Sequence, residues 1–139
     1  MKFLLAQINP VVGDLEGNAK KILFTAAKAS STSADLVLTP ELSLWGYPAK
    51  DLLLKKNLIK NQYQILDQLA LDINKKYENL SITVGIAELI NDSFFPNLYN
   101  SIALIEGGEW KIIARKIILP TYEVFDEKRY LDQKKKFPY

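Results

Sequence analysis

The chain has 139 residues, 48% hydrophobic and 24% charged, the composition of an ordinary globular domain and not of a disordered or fibrous chain. Its 18 Lys and Arg against 16 Asp and Glu leave a net charge of +2, too little to point to a nucleic-acid partner. Cysteine and histidine are both absent, which excludes disulfides, thiolate metal sites and any Ser-His or Cys-His catalytic pair within these residues.

The first apolar run, Phe3 to Ile8, has the texture of a strand covered on both faces and is ended by Asn9, Pro10 and Gly13. It is too short for a secretory signal, and no apolar run reaches the roughly 18 to 20 residues that cross a bilayer, so the cytoplasm is the expected location. Asp14 stands where it can cap a helix in which Leu15, Ala19, Ile22, Ala26 and Ala29 share one face. After the polar cluster Ser30 to Ser33, Asp35 to Thr39 read as a second strand halted by Pro40. A strand-helix-strand unit of this length implies two parallel neighbours. Glu41 therefore follows the C-terminal end of a strand, where α/β folds place ligands, and Gly46, Tyr47 and Pro48 form a turn beyond it.

From Lys55 to Tyr77, Leu58, Ile65, Leu66, Leu69, Ile73 and Tyr77 keep helical spacing. Ser81 to Leu89 then reads as a buried strand rich in β-branched residues, and 91–97 (NDSFFPN) as a loop. Tyr99 to Glu106 and Glu109 to Arg115 flank Gly107 and Gly108, the composition of a tight hairpin. Alternating strands and helices followed by consecutive strands argue for a layered α/β architecture with a mixed sheet. Beyond Pro120 periodicity is lost, and the run Lys134 to Lys136 reads as a solvated tail without a partner.

Three charged residues sit in unusual settings: Glu41 after its strand, Lys116 among Ile112, Ile113, Ile117, Ile118 and Leu119, and Glu127 in the run Asp126 to Arg129. Strand alternation would point the Lys116 ammonium inward, and an inward charge needs a partner. A carboxylate and an ammonium in a partly dry pocket can divide acid-base work, one accepting a proton and the other stabilising developing negative charge. Each also has a plainer reading: Glu41 as a solvated strand-end acid, Lys116 as an edge-strand or snorkelling lysine, Glu127 as part of a solvated run, and Tyr47 as a ring packed under its turn.

Four stretches change that balance when taken together: AQINPVVGDLEGN (6–18), PELSLWGYPAKDLLL (40–54), YNSIALIEGG (99–108) and RKIILPTYEVFDEKRY (115–130). In this order they resemble the carbon-nitrogen hydrolase, or nitrilase, superfamily, and within it the N-terminal glutaminase domains of the glutamine-dependent NAD synthetase family. The resemblance implies a four-layer αββα sandwich and a Glu-Lys-Cys triad. It makes Glu41 the general base, Lys116 the stabiliser of the oxyanion, Glu127 a second glutamate that positions substrate and lysine, and Tyr47 part of the glutamine pocket.

The family's nucleophilic cysteine lies beyond the last of these motifs, so residues 1–139 correspond to about the first half of a glutaminase domain. The remainder of that domain and the synthetase domain, with its ATP and Mg, fall outside this sequence, as does the homo-oligomeric assembly that the resemblance suggests. Trp45 is larger than the small residue expected in its turn, Ala114 stands where an aromatic is usual and Leu131 where Phe is usual, and the first two would alter the pocket's shape. Two other readings keep their place: a stand-alone amidase or carbamoylase of the same superfamily, and a short non-catalytic relic.

Overall fold

In the computed structural model, which describes residues 1–91, 97–121 and 126–132, the opening apolar run is a strand, β1, only over Phe3–Leu5. Helix α1 follows over Leu15–Ser31, and the Asp14 carboxylate caps it by accepting the Gly17 N–H at 2.9 Å. That bond satisfies a helix-start donor which has no partner inside the helix. The inner face is the expected one: Leu15, Ile22, Ala26 and Ala29 are buried and Ala19 packs partly buried against them.

Strand β2 (Leu36–Leu38) pairs parallel with β1, and β3 (Ser81–Leu89) pairs parallel with β2. Between β2 and β3 run a 3-10 turn, Lys50–Leu54, and helix α2, Lys56–Lys76. Strands β4 (Leu98–Glu106) and β5 (Glu109–Arg115) complete an antiparallel hairpin. Its turn residues Gly107 and Gly108 have φ of 60° and 84°, both positive, as a two-residue turn matched to strand twist requires. The order β1-β2-β3-β4-β5 is therefore parallel at one side and antiparallel at the other, the mixed α/β sheet that the pattern predicts.

Both helices lie on one face of this sheet. Val37, Ile82, Val84, Ile86 and Ile105 meet Ile22, Ile59, Leu66 and Ile73 in a single core, each such side chain contributing about 1.5–3 kcal/mol by leaving water. The opposite face carries Phe3, Leu5, Leu38 and Ile102, which are 36% to 73% exposed. Among the described residues β1 is thus covered on one face and not on two, which corrects the reading of its unbroken apolar run. One helical layer on one sheet is half of the four-layer arrangement. The anticipated loop lies mostly, and the lysine tail wholly, outside the described residues. No helix among the described residues is long and apolar enough to cross a membrane.

Candidate active site

The turn that carries Glu41 exists because β2 stops before β3 does. β2 pairs with β3 only from Ser81 to Thr83, so Gly85 and Ala87 on that edge need other partners, since an unpaired buried amide is costly. Residues 40–46 and α2 supply them. The Leu44 N–H donates to the Gly85 carbonyl at 3.1 Å, and the Gly85 N–H donates to Ser43 Oγ at 3.0 Å. The side-chain amide of Gln62 pairs with Ala87 in both directions, accepting its N–H at 3.1 Å and donating to its carbonyl at 2.5 Å. Gln62 Oε1 also accepts the Trp45 indole N–H at 2.6 Å.

The fit on β3 is tight enough to depend on a missing side chain. A Cβ on Gly85 would stand 2.3 Å from the Leu42 nitrogen, and Leu42 itself is held at φ 46°, a left-handed conformation unusual for leucine. On the other side, buried Asn18 of α1 donates to the carbonyls of Leu44 at 3.0 Å and Val11 at 2.8 Å, and the Gly13 N–H donates to the Trp45 carbonyl at 2.8 Å. Trp45 is fully buried beneath the turn and lines neither of the cavities described below. Its bulk therefore supports the turn from within and does not reshape the pocket.

This frame brings the four singled-out residues together. Lys116 Nζ lies 2.7 Å from Glu41 Oε1 and 3.0 Å from Glu127 Oε1. The Tyr47 hydroxyl donates to the same Glu127 oxygen at 2.7 Å, across a turn whose Tyr47–Pro48 peptide is cis. β5 ends at Arg115, so the inward aim of Lys116 comes from its place just past the strand and not from alternation within it. Glu127 opens a short 3-10 turn, Glu127–Arg129, that periodicity does not announce. It is only 6% exposed and its Oε2 has no hydrogen-bond partner among the described residues, which removes the reading of a solvated acidic run.

Burial alone would draw the Lys116 ammonium down, but the hydrogen bonds it donates to Glu41 and then Glu127, with their charges, outweigh it and leave the group above its ordinary value. It is a cation throughout the neutral range. Glu41 keeps 45% of its side chain open to solvent. With Lys116, Gly85 and Asn100 it lines a cavity of about 380 Å³. Ala114 lines the same space, whereas Glu127 and Tyr47 face a second cavity of about 440 Å³ shared with Asp51, Tyr130 and Leu131. The arrangement offers a reachable carboxylate base, a fixed cation and a buried acceptor. The sequence holds no cysteine, and no group of three or more carboxylates among the described residues is gathered to hold a metal ion.

Three buried amides that shape the site, Asn18, Gln62 and Asn100, were not anticipated as contributors to it. The available signal was a polar residue within an otherwise apolar face: Gln62 falls on the inner stripe of α2 with Ile59 and Leu66, and Asn100 lies in β4 between Leu98 and Ile102.

Comparison with known proteins follows the same lines. The carbon-nitrogen hydrolase family profile matches residues 5–139. A glutamine-dependent NAD(+) synthetase from Synechocystis sp. is 42% identical over 138 residues, 97% of this chain and 24% of that protein. Among solved structures, a glutamine-dependent NAD+ synthetase from Acinetobacter baumannii in complex with ADP superimposes with a TM-score of 0.82 at 34% identity, over 99% of this chain and 25% of that one. An amidase from Nesterenkonia sp. shares the fold at 23% identity, with a TM-score of 0.76 over 98% of this chain and 49% of its own. The chain spans about a quarter of the length of the curated relatives it matches.

Proposed function

Because the chain belongs to the carbon-nitrogen hydrolase family, we propose that it carries the acid-base and electrostatic part of a glutamine amidohydrolase site. The ammonia released would feed, in the cytoplasm, an ATP- and Mg-dependent synthetase step that converts nicotinic acid adenine dinucleotide to NAD. The names of the relatives that match 97% and 94% of the chain support this substrate over other amides. The nucleophile is a cysteine thiol that this sequence does not contain, so the 139 residues alone hydrolyse no amide.

Glu41 takes the thiol proton as the thiolate attacks the amide carbon and passes it to the departing nitrogen, so that ammonia leaves and a thioester forms; it then takes a proton from the water that cleaves the thioester and returns it to the thiol. Lys116 stands beside it to balance the tetrahedral oxyanion. Glu127, itself held by the Tyr47 hydroxyl, grips that ammonium from behind, and the two border the second cavity, which would take the amino-acid part of glutamine. The single observation that carries the proposal is the Lys116 ammonium held between two carboxylates, 2.7 Å from one and 3.0 Å from the other.

The test is ammonia release from glutamine by the native full-length protein and its Glu41→Gln variant. General-base loss predicts a fall in kcat of about 10²- to 10⁴-fold. Undiminished turnover in Glu41→Gln refutes the assignment, and a preference for simple aliphatic amides over glutamine would favour the stand-alone amidase.

A further inference from the structure

Asn100 is uncharged, and it touches both members of the proposed pair. Its side-chain amide donates to Glu41 Oε1 at 2.5 Å, and its backbone carbonyl accepts the Lys116 N–H at 2.8 Å. We propose that Asn100 is the positioning residue of the site, locking the Glu41 carboxylate and the Lys116 main chain into one register. The proposal rests on the reading of Glu41 as base and Lys116 as oxyanion partner.

The placement of the bonds supports this role. Among the described residues the donors to Glu41, the Asn100 amide and the Lys116 ammonium, converge on Oε1. The other oxygen is then the one available to take a proton. Asn100 is 4% exposed, yet its amide is spent on a carboxylate that is 45% exposed. A buried amide is a costly way to fill space unless its donor is needed.

The neighbouring strand geometry explains why a pin is required here. The β4–β5 register shifts between Ile102 and Ala103, and a bulge leaves the ladder locally disrupted. Beyond it the ladder resumes at Ile102–Ala114 and Ser101–Arg115, and side chains reinforce it. Ser101 donates to Glu88, which grips Arg115 through Nε at 2.6 Å and Nη2 at 2.5 Å. Residues 101 and 100 of β4 thus hold residues 115 and 116 in turn, on opposite faces of the sheet. The charged groups around Glu41 are Lys116 and, behind it, Glu127 with the Tyr47 hydroxyl. Arg115 lines the same cavity but is engaged by Glu88.

The experiment compares glutamine hydrolysis by the native full-length protein with Asn100→Leu, Asn100→Asp and Glu41→Gln variants across neutral pH. Asn100→Leu removes the donor and keeps the size; it should lower kcat roughly 10- to 100-fold with KM moving less than about 3-fold. Asn100→Asp keeps the shape but sets a second carboxylate against Glu41. Its rate relative to wild type should be low near about pH 8 and recover roughly tenfold towards about pH 6, as a shared proton restores a donor. A residue that only packs would give ratios to wild type that do not change with pH.

Asn100→Leu with kcat within about 2-fold of wild type, or a pH-independent Asn100→Asp ratio, overturns the positioning role while an inactive Glu41→Gln leaves the base assignment standing. Full activity in Glu41→Gln, or none in the wild type, overturns the underlying reading instead. Should Asn100→Leu fail to fold, the isosteric Asn100→Asp profile decides alone.

Discussion

Replacing Gln62 by leucine tests whether the turn bearing Glu41 is held by the edge of β3. The side chain makes three hydrogen bonds: from the Trp45 indole N–H, from the Ala87 N–H, and to the Ala87 carbonyl. Trp45 and Ala87 are both fully buried, so water cannot replace the lost amide. Leucine matches the volume closely, which keeps any cavity contribution small. Each orphaned buried group costs about 1–3 kcal/mol, and three that share one side chain should together cost roughly 3–5 kcal/mol. Against a typical stability of about 5–15 kcal/mol this is a large fraction. In urea, followed by tryptophan fluorescence, the native protein's midpoint should fall by roughly 2 M with an unchanged slope. The control is Gln68→Ala on the same helix, an exposed residue whose amide donates to Asp72 at 3.0 Å; its cost should stay within about 0.5 kcal/mol. If Gln62→Leu melts with Gln68→Ala, the edge of β3 does not hold the turn.

The remaining predictions concern the same frame. Gly85→Ala should shift the turn, because its Cβ would meet the Leu42 nitrogen at 2.3 Å; glutamine turnover by the native protein should drop at least about tenfold, and wild-type turnover would show that the turn can give way. Lys116 sits above its ordinary value of 10.5 once its bonds to Glu41 and Glu127 outweigh burial, so the stability it contributes is complete below that value and lost as pH climbs through the raised folded one. The difference in melting temperature between wild type and Lys116→Met should therefore be constant through neutral pH and narrow only above about pH 10.5; narrowing on acidification from pH 8 to about 6 would contradict this sign.

What could be read in advance was what local pattern dictates. The Asp14 cap, the buried face of α1, the limits of β3 and the two-glycine hairpin each depend on residues within a few positions of one another, and all appear as expected. β1 was overread because an apolar run signals burial without saying which layer provides it: Leu5 is 73% exposed, and the Ala6 N–H still reaches the Leu38 carbonyl at 2.9 Å although the strand has ended. Glu41 and Lys116 were visible as charges in apolar settings, but the partner of each lies 75 residues away. Asn100 was visible only as a polar residue on an apolar strand face, because an asparagine in a strand looks the same whether it faces water or a carboxylate 59 residues distant. Trp45 misled in the other direction, its size suggesting an altered pocket when the indole in fact points into the core.

The charge arithmetic of the site links its stability to its use. Glu41 and Glu127 contribute two negative charges and Lys116 one positive, a net of −1 at neutral pH, and Glu127 is buried. A buried carboxylate with one oxygen unpartnered among the described residues is tolerable where its other oxygen is strongly held, and Glu127 Oε1 receives both the ammonium and the Tyr47 hydroxyl. The hydroxyl takes part of the task of neutralising Glu127, so the ammonium need not commit its full bonding capacity there. Under the proposed mechanism Lys116 would then serve Glu41 on one side and a developing oxyanion on the other. Bonded to both acids, the ammonium is fixed in one place, as a preorganised cation requires. Tyr47, close in sequence to Glu41 but bonded to Glu127, ties the segments that carry the two acids into one frame.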